Sequence, residues 1–177
     1  MFGYGLVGQA CLAAVCELGM RPVAVYTHVQ GGDLWHTNLE AMGARAGAPV
    51  ILDADFGDPE AVAFLEKLKP DILLSFYYKN VLPSTVLDIA PLGGLNLHGS
   101  PLPAYRGRVP VNWMVLKGEA MGGATLHQMR ALPDSGAVLG TRPFPIGPTD
   151  SSFDLLCNVR NAGAGLVRGA LPAYVAG

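Results

Sequence analysis

A chain of 177 residues is long enough to bury a core as one domain without help from disulfides or metal ions. Half of its residues are apolar, 15% are charged, and 12 basic against 14 acidic side chains leave a net charge of −2, which excludes a disordered chain and the basic stripe that a nucleic-acid backbone requires. No apolar run approaches the roughly 20 residues of a membrane span and no basic residue precedes Arg21, so the expectation is a soluble cytoplasmic protein with neither nucleic acid nor membrane insertion among its partners.

The chain opens on Gly3-Tyr4-Gly5-Leu6-Val7-Gly8, a GxGxxG pattern with only Met1 and Phe2 ahead of it, so the first strand is expected to be clipped. Glycines at these positions allow a tight strand-to-helix turn, close approach of a phosphate, and close helix–sheet packing. A dinucleotide site would also need an acid about 20 residues on, at the tip of the second strand. That tip reads Tyr26-Thr27-His28, which leaves a dinucleotide-binding oxidoreductase as the reading from another class and a plain tight turn as the preferred one.

Strands are predicted at Pro22–Thr27, Pro49–Leu52, Asp71–Phe76 and Gly94–His98, where Val, Ile and Leu cluster. Helices are predicted between them: Val7–Leu18 stopped by Gly19, Asp33–Ala46 stopped by Gly47, and Pro59–Leu68 with Asp58 as its N-cap. This alternation predicts an α/β fold with a doubly wound, mostly parallel sheet and helices on both faces. Beyond residue 98 the pattern changes to a Pro- and Gly-rich loop from Gly99 to Pro110, then a short helix near Val111–Lys117. Two extended stretches, Gly123–Met129 and Ala137–Phe144, predict a mixed edge. A last helix starts after the capping residues at Thr149–Ser152 and runs towards Leu171. Cys11, Cys16 and Cys157 lack the paired spacing of a zinc site and are expected as small buried hydrophobes, with no metal implied.

Asn96 and His98 stand two apart in an apolar strand, so their side chains share one face while Leu97 takes the other. The strand ends at Gly99-Ser100, which puts the pair at a carboxyl end, where open α/β sheets bind ligands. Read alone, Asn96 could satisfy local backbone groups, His98 could be a hydrogen-bonded strand-end histidine, and Asp134, before Ser135-Gly136, could be a turn aspartate. His28, His36 and His127 have no comparable context and are read as structural or exposed.

The string Asn96-Leu97-His98-Gly99-Ser100-Pro101-Leu102-Pro103, continuing through Tyr105-Arg106-Gly107-Arg108 to Trp113 and then Asp134-Ser135-Gly136, resembles the signature of the folate-dependent formyltransferases. Ser75-Phe76-Tyr77-Tyr78-Lys79 and Thr125-Leu126-His127-Gln128-Met129 are most similar to the domain of that superfamily acting on UDP-4-amino-4-deoxy-L-arabinose in lipid A modification. The resemblance covers nearly the whole chain. It implies a Rossmann-like formyltransferase fold, a single N-terminal-type catalytic domain over residues 1–177 lacking the usual C-terminal β-domain, and room for a homo-oligomer or for additional domains in a longer chain.

The resemblance also implies a chemistry. The donor is 10-formyltetrahydrofolate, a co-substrate needing no metal, and the acceptor is a small-molecule primary amine, foremost the 4-amino group of a nucleotide-linked amino sugar. Methionyl-tRNA formylation and formyltetrahydrofolate hydrolysis are the alternatives within the family. Asn96 would donate to the oxyanion of the tetrahedral intermediate, His98 would relay protons, and Asp134 would bias the imidazole towards its cation. The folate would lie against Asn80, Val81 and Leu82, contact Arg108, and be held by the loop Arg130-Ala131-Leu132-Pro133. Tyr105 and Arg106 would serve the acceptor or brace their loop.

Overall fold

The computed structural model describes residues 1–29 and 39–177. In chain order the elements are β1 (Phe2–Gly3), α1 (Gly5–Glu17), β2 (Val25–Thr27), α2 (Leu39–Arg45), β3 (Val50–Leu52), α3 (Pro59–Lys67) and β4 (Leu73–Phe76). There follow α4 (Ser84–Leu87), β5 (Gly94–His98), α5 (Pro110–Leu116), β6 (Met121–Gln128), β7 (Val138–Pro145) and α6 (Ser152–Ala176). The strands form one sheet in the order β3-β2-β1-β4-β5-β6-β7. The first five are parallel, β6 pairs antiparallel to β5 and β7 pairs antiparallel to β6, so the expected mixed edge is present. The order reverses between β1 and β4, which opens a crevice at their carboxyl ends.

Each helix boundary follows from local chemistry. Asp58 accepts the Glu60 N–H and Pro59 sits where a missing N–H costs nothing, so α3 starts there. Gly19 and Gly47 supply the left-handed residues (φ 74° and 72°) that close α1 and follow α2. Ser151 and Asp154 exchange hydrogen bonds with each other's backbone and begin α6 as expected, but the helix runs past Leu171 to Ala176 despite Pro172. Its last turns are held by tertiary contacts: Leu171 is fully buried, and the Tyr174 hydroxyl donates to the Leu92 carbonyl at 2.9 Å. The short α4 has too few residues for a periodic pattern and was not expected. Of the predicted second helix, residues 33–38, which include His36, lie outside the described residues.

Two apolar clusters flank the sheet. One joins Val7, Cys11 and Val15 of α1 with Leu95 and Leu97 of β5, Leu126 of β6 and Leu155, Val159 and Val167 of α6. Gly163 of α6 rides directly on Leu97, where a Cβ would come within 2.2 Å of the leucine Cδ2. The opposite cluster holds Phe2, Tyr26, Leu65, Leu73, Leu82 and Val86, and none of its buried members comes from β5, β6 or β7. On that face the buried apolar cluster ends at β4 among the described residues, and the polar side chains of the next two strands lie outside it. The cysteine expectation holds for Cys11 only: Cys16 is exposed and Cys157 half-buried. Five helical residues rotate a side chain by about 140° beyond a full turn, which carries Cys16 off the face that buries Cys11.

Candidate active site

Strand register assembles the site. Ser75 of β4 pairs with Asn96 of β5, which pairs with His127 of β6, while His98 pairs with Thr125. Leu95 and Leu97 point into the α1/α6 cluster, so period-two alternation sends Asn96 and His98 to the uncovered face, as the sequence implied. Thr125 and His127 reach that face because Leu126 is buried on the other side. Two loops then close over this polar row: residues 99–109 after β5 and residues 129–137 after β6.

Asp134 ties the two loops to the strands. Its Oδ1 lies 3.5 Å from His98 Nδ1 and 3.5 Å from His127 Nε2, and its Oδ2 accepts the Gly107 N–H at 2.9 Å. The hydrogen bonds fix both imidazole tautomers, since a carbonyl can only accept. His98 donates Nε2–H to the Tyr105 carbonyl at 2.8 Å, and His127 donates Nδ1–H to the Gln128 carbonyl at 2.8 Å. In the neutral ring His127 Nε2 is then an acceptor, and it takes an N–H from Asn96 Nδ2 at 3.1 Å. Asn96 thus has its amide oriented by a buried histidine and retains a second N–H for a ligand.

This revises one expectation. His127, read as structural or exposed, is 1% exposed and bridges Asn96 to Asp134. The register of an antiparallel pair is what places it there, and one sequence does not print that register. Charge at His98 is a balance: burial is the largest effect and pushes the imidazole below its ordinary value, the Tyr105 carbonyl and the Asp134 carboxylate pull it upward, as expected of Asp134, and His127 opposes them, so the net shift favours the neutral ring. For Asp134 burial pushes the carboxyl up, but His127, the Gly107 N–H and His98 outweigh it and hold the group below the ordinary carboxylate range.

The cluster opens into a cavity of about 560 Å³ at the carboxyl ends of β1, β4 and β5, within the size range of small-molecule sites. Asn96, His98 and Asp134 line it together, as do Asn80, Val81, Leu82, Arg108, Arg130 and Pro133. Ala131 and Leu132 do not line it and are exposed. The glycine turn forms one wall through Tyr4 and Gly5, and Gly8 packs against Gly3 and the Phe76 carbonyl, where a Cβ would sit at 3.2 Å. His28 is buried at the tip of β2, with Nδ1 bound to Asp53 at 2.8 Å and Nε2 accepting the Lys79 N–H, which fits its structural reading.

Asp134 owes its position to backbone as well as charge. It is a non-glycine residue at φ 54°, and Gly136 lies so close to β6 that a Cβ would come within 1.9 Å of the Gln128 carbonyl oxygen. Gly136→Ala must push the loop off the strand. A displacement near 1 Å at a reacting group costs up to about 10²-fold, so kcat should fall on that scale while far-ultraviolet circular dichroism stays unchanged. A folded Gly136→Ala protein with wild-type kcat would show that the loop position does not matter.

A family model for formyl transferases matches residues 42–170 of the chain. Among solved structures, glycinamide ribonucleotide transformylase 1 from Symbiobacterium toebii superposes with a TM-score of 0.83 at 20% identity, covering 99% of this chain and 87% of that one. A formyltetrahydrofolate deformylase from Pseudomonas syringae pv. tomato gives 0.80 at 20% identity, with 99% and 60% covered. An N-formyltransferase from Helicobacter canadensis, in complex with folinic acid and dTDP-3-aminofucose, gives 0.76 at 20% identity, with 99% and 62% covered.

Proposed function

The chain belongs to the formyl transferase family as a folate-dependent enzyme, and from that premise we propose that it transfers the formyl group of 10-formyltetrahydrofolate to the primary amine of a nucleotide-linked amino sugar. The observation that carries the chemistry is the convergence of Asn96, His98 and the Asp134 carboxylate on one wall of a 560 Å³ cavity. An apolar lining from Leu6, Leu82 and Met129 suits a pterin, and the arginines Arg108 and Arg130 at its rim suit the folate carboxylates.

The roles follow from the hydrogen bonds. As the amine nitrogen bonds to the formyl carbon, the carbonyl oxygen gains negative charge, and the free N–H of Asn96 donates to it. Neutral His98 takes the proton that the amine loses, and its cation is then held between the Tyr105 carbonyl and the Asp134 carboxylate. When the bond from the formyl carbon to the folate nitrogen breaks, His98 returns that proton to the leaving nitrogen, so the enzyme ends in its starting state. Val81 and Leu82 would pack against the folate.

For the acceptor, support comes from the likeness of Ser75-Phe76-Tyr77-Tyr78-Lys79 to the domain acting on UDP-4-amino-4-deoxy-L-arabinose, and from the bound amino-sugar nucleotide in the Helicobacter canadensis structure. The Tyr4 ring, with Lys79 Nζ 3.8 Å from its centroid, offers a stacking surface and a positive charge at the cavity wall. Incubation with 10-formyltetrahydrofolate and a panel of acceptors tests the reading by tetrahydrofolate release and product mass. The panel holds UDP-4-amino-4-deoxy-L-arabinose, dTDP-amino sugars, glycinamide ribonucleotide and methionyl-tRNA. Formylation of an amino-sugar nucleotide is the expected result; transfer only to another acceptor, or release to water alone, would overturn the acceptor assignment.

A further inference from the structure

His98 is held by a backbone carbonyl that belongs to a loop, so something must fix that loop. Tyr105, whose carbonyl accepts the imidazole Nε2–H at 2.8 Å, is a non-glycine residue in left-handed backbone (φ 57°). Such a conformation is unfavourable for a residue with a Cβ and persists only where neighbours impose it. The amino-terminal side of the loop is fastened by Thr125, the cross-strand neighbour of His98: its hydroxyl donates to the Ser100 carbonyl at 2.8 Å and accepts the Leu102 N–H at 3.1 Å. Ser100 Oγ in turn donates to the Ala104 carbonyl at 2.6 Å. At Tyr105 itself the tether is the side chain. The phenol hydroxyl donates a hydrogen bond to Glu119 Oε1, just ahead of β6, and Lys117 Nζ stands 5.3 Å from the ring centroid.

We propose that Tyr105 and Glu119 form a strut that positions His98, the phenol anchored on the carboxylate fixing the carbonyl that holds the imidazole. The role of the strut in turnover rests on the formyl-transfer reading; its effect on the ring does not. Tyr105 is a positioning residue, acting through its own backbone on a side chain that lines the cavity. Glu119 raises the Tyr105 phenol above its ordinary value, so the hydroxyl keeps its proton and remains a donor at neutral pH. The charged and titratable groups around this unit are Asp134 and His127, facing His98 from the second loop and β6, and Lys117 and Glu119, facing Tyr105 from the end of α5.

Tyr105→Phe removes only the hydroxyl, and Glu119→Gln keeps an acceptor oxygen while removing the charge. The test titrates the His98 imidazole by nitrogen-15 NMR in the full chain without substrate, and measures kcat and KM. Tyr105→Phe and Glu119→Ala should each lower kcat about five- to tenfold with KM for the folate unchanged, and should shift the His98 titration to lower pH as its carbonyl partner loosens. Glu119→Gln should restore most of both, and Tyr105→Phe combined with Glu119→Ala should be no worse than either alone. An unchanged His98 titration and kcat in folded Tyr105→Phe, or a Glu119→Gln protein as impaired as Glu119→Ala, would overturn the strut. A shifted titration in a protein that formylates no amine would leave the strut standing and overturn the proposed function instead.

Discussion

Asn96→Ala should lower kcat about 10²- to 10³-fold and leave KM for the folate within a few-fold, the loss expected on deleting one oxyanion donor. The size follows from how the donor is held. One Nδ2–H of Asn96 is committed to His127 Nε2 at 3.1 Å, and His127 is fixed by the Gln128 carbonyl, so the amide cannot swing to hydrate itself when the cavity fills. A donor pre-aimed in this way stabilises charge without reorganising, and that benefit exists only in the transition state. Asn96→Asp is the sharper variant. It preserves volume, removes the donor and adds a negative charge beside the developing one, so its kcat should fall below that of Asn96→Ala. His127→Ala, which leaves the Asn96 donor in place and removes its orienting acceptor together with the contact to Asp134, should cost less than either. Steady-state kinetics on folded variants decides the order, and an Asn96→Asp enzyme as active as wild type would remove the oxyanion role.

The parts of this molecule that were legible are those written in local periodicity. The alternation of apolar strands with capped helices gave the doubly wound sheet, and the spacing of Asn96 and His98 placed both on one face of β5, where the structure has them. The pairing of β6 against β5 was not legible, because nothing near Thr125 or His127 states which residue it will face; that register alone brings His127 beside Asn96. The net balance at His98 was not legible for a related reason. Sequence suggests a carboxylate partner, but burial, which exceeds the effect of that partner here, is a property of the two closed loops. The 129–137 loop separates by the same logic: Asp134 and Pro133 reach the cavity, whereas Ala131 and Leu132, equally close in sequence, turn outward.

Asp134→Asn should lower kcat by about 10²- to 10⁴-fold, comparable to removing the carboxylate that orients a catalytic histidine in hydrolase triads. It should also move the acid limb of the kcat/KM–pH profile, which reports the free enzyme. Burial holds the His98 imidazole below its ordinary 6.5, so the neutral ring proposed to accept the amine proton places that limb on the acid side of 6.5. Asp134 raises that pKa, so its loss must shift the limb to still lower pH; a shift upward would contradict the assigned coupling. Stability carries the same signature. For His98 the folded state binds the proton more weakly than the unfolded chain, so stability is full above pH 6.5 and declines as pH falls below it. For Asp134 the folded value lies below the ordinary 3.8, so its contribution is full above pH 3.8 and is lost as pH falls through the folded value. Asp134→Asn removes the second loss and deepens the first, because His98 then lacks the carboxylate that made its cation tolerable. Urea unfolding between pH 7 and pH 4 should therefore show a steeper decline for the variant, and a flatter one would mean that the carboxylate and the imidazole do not share a proton-dependent interaction in the native state.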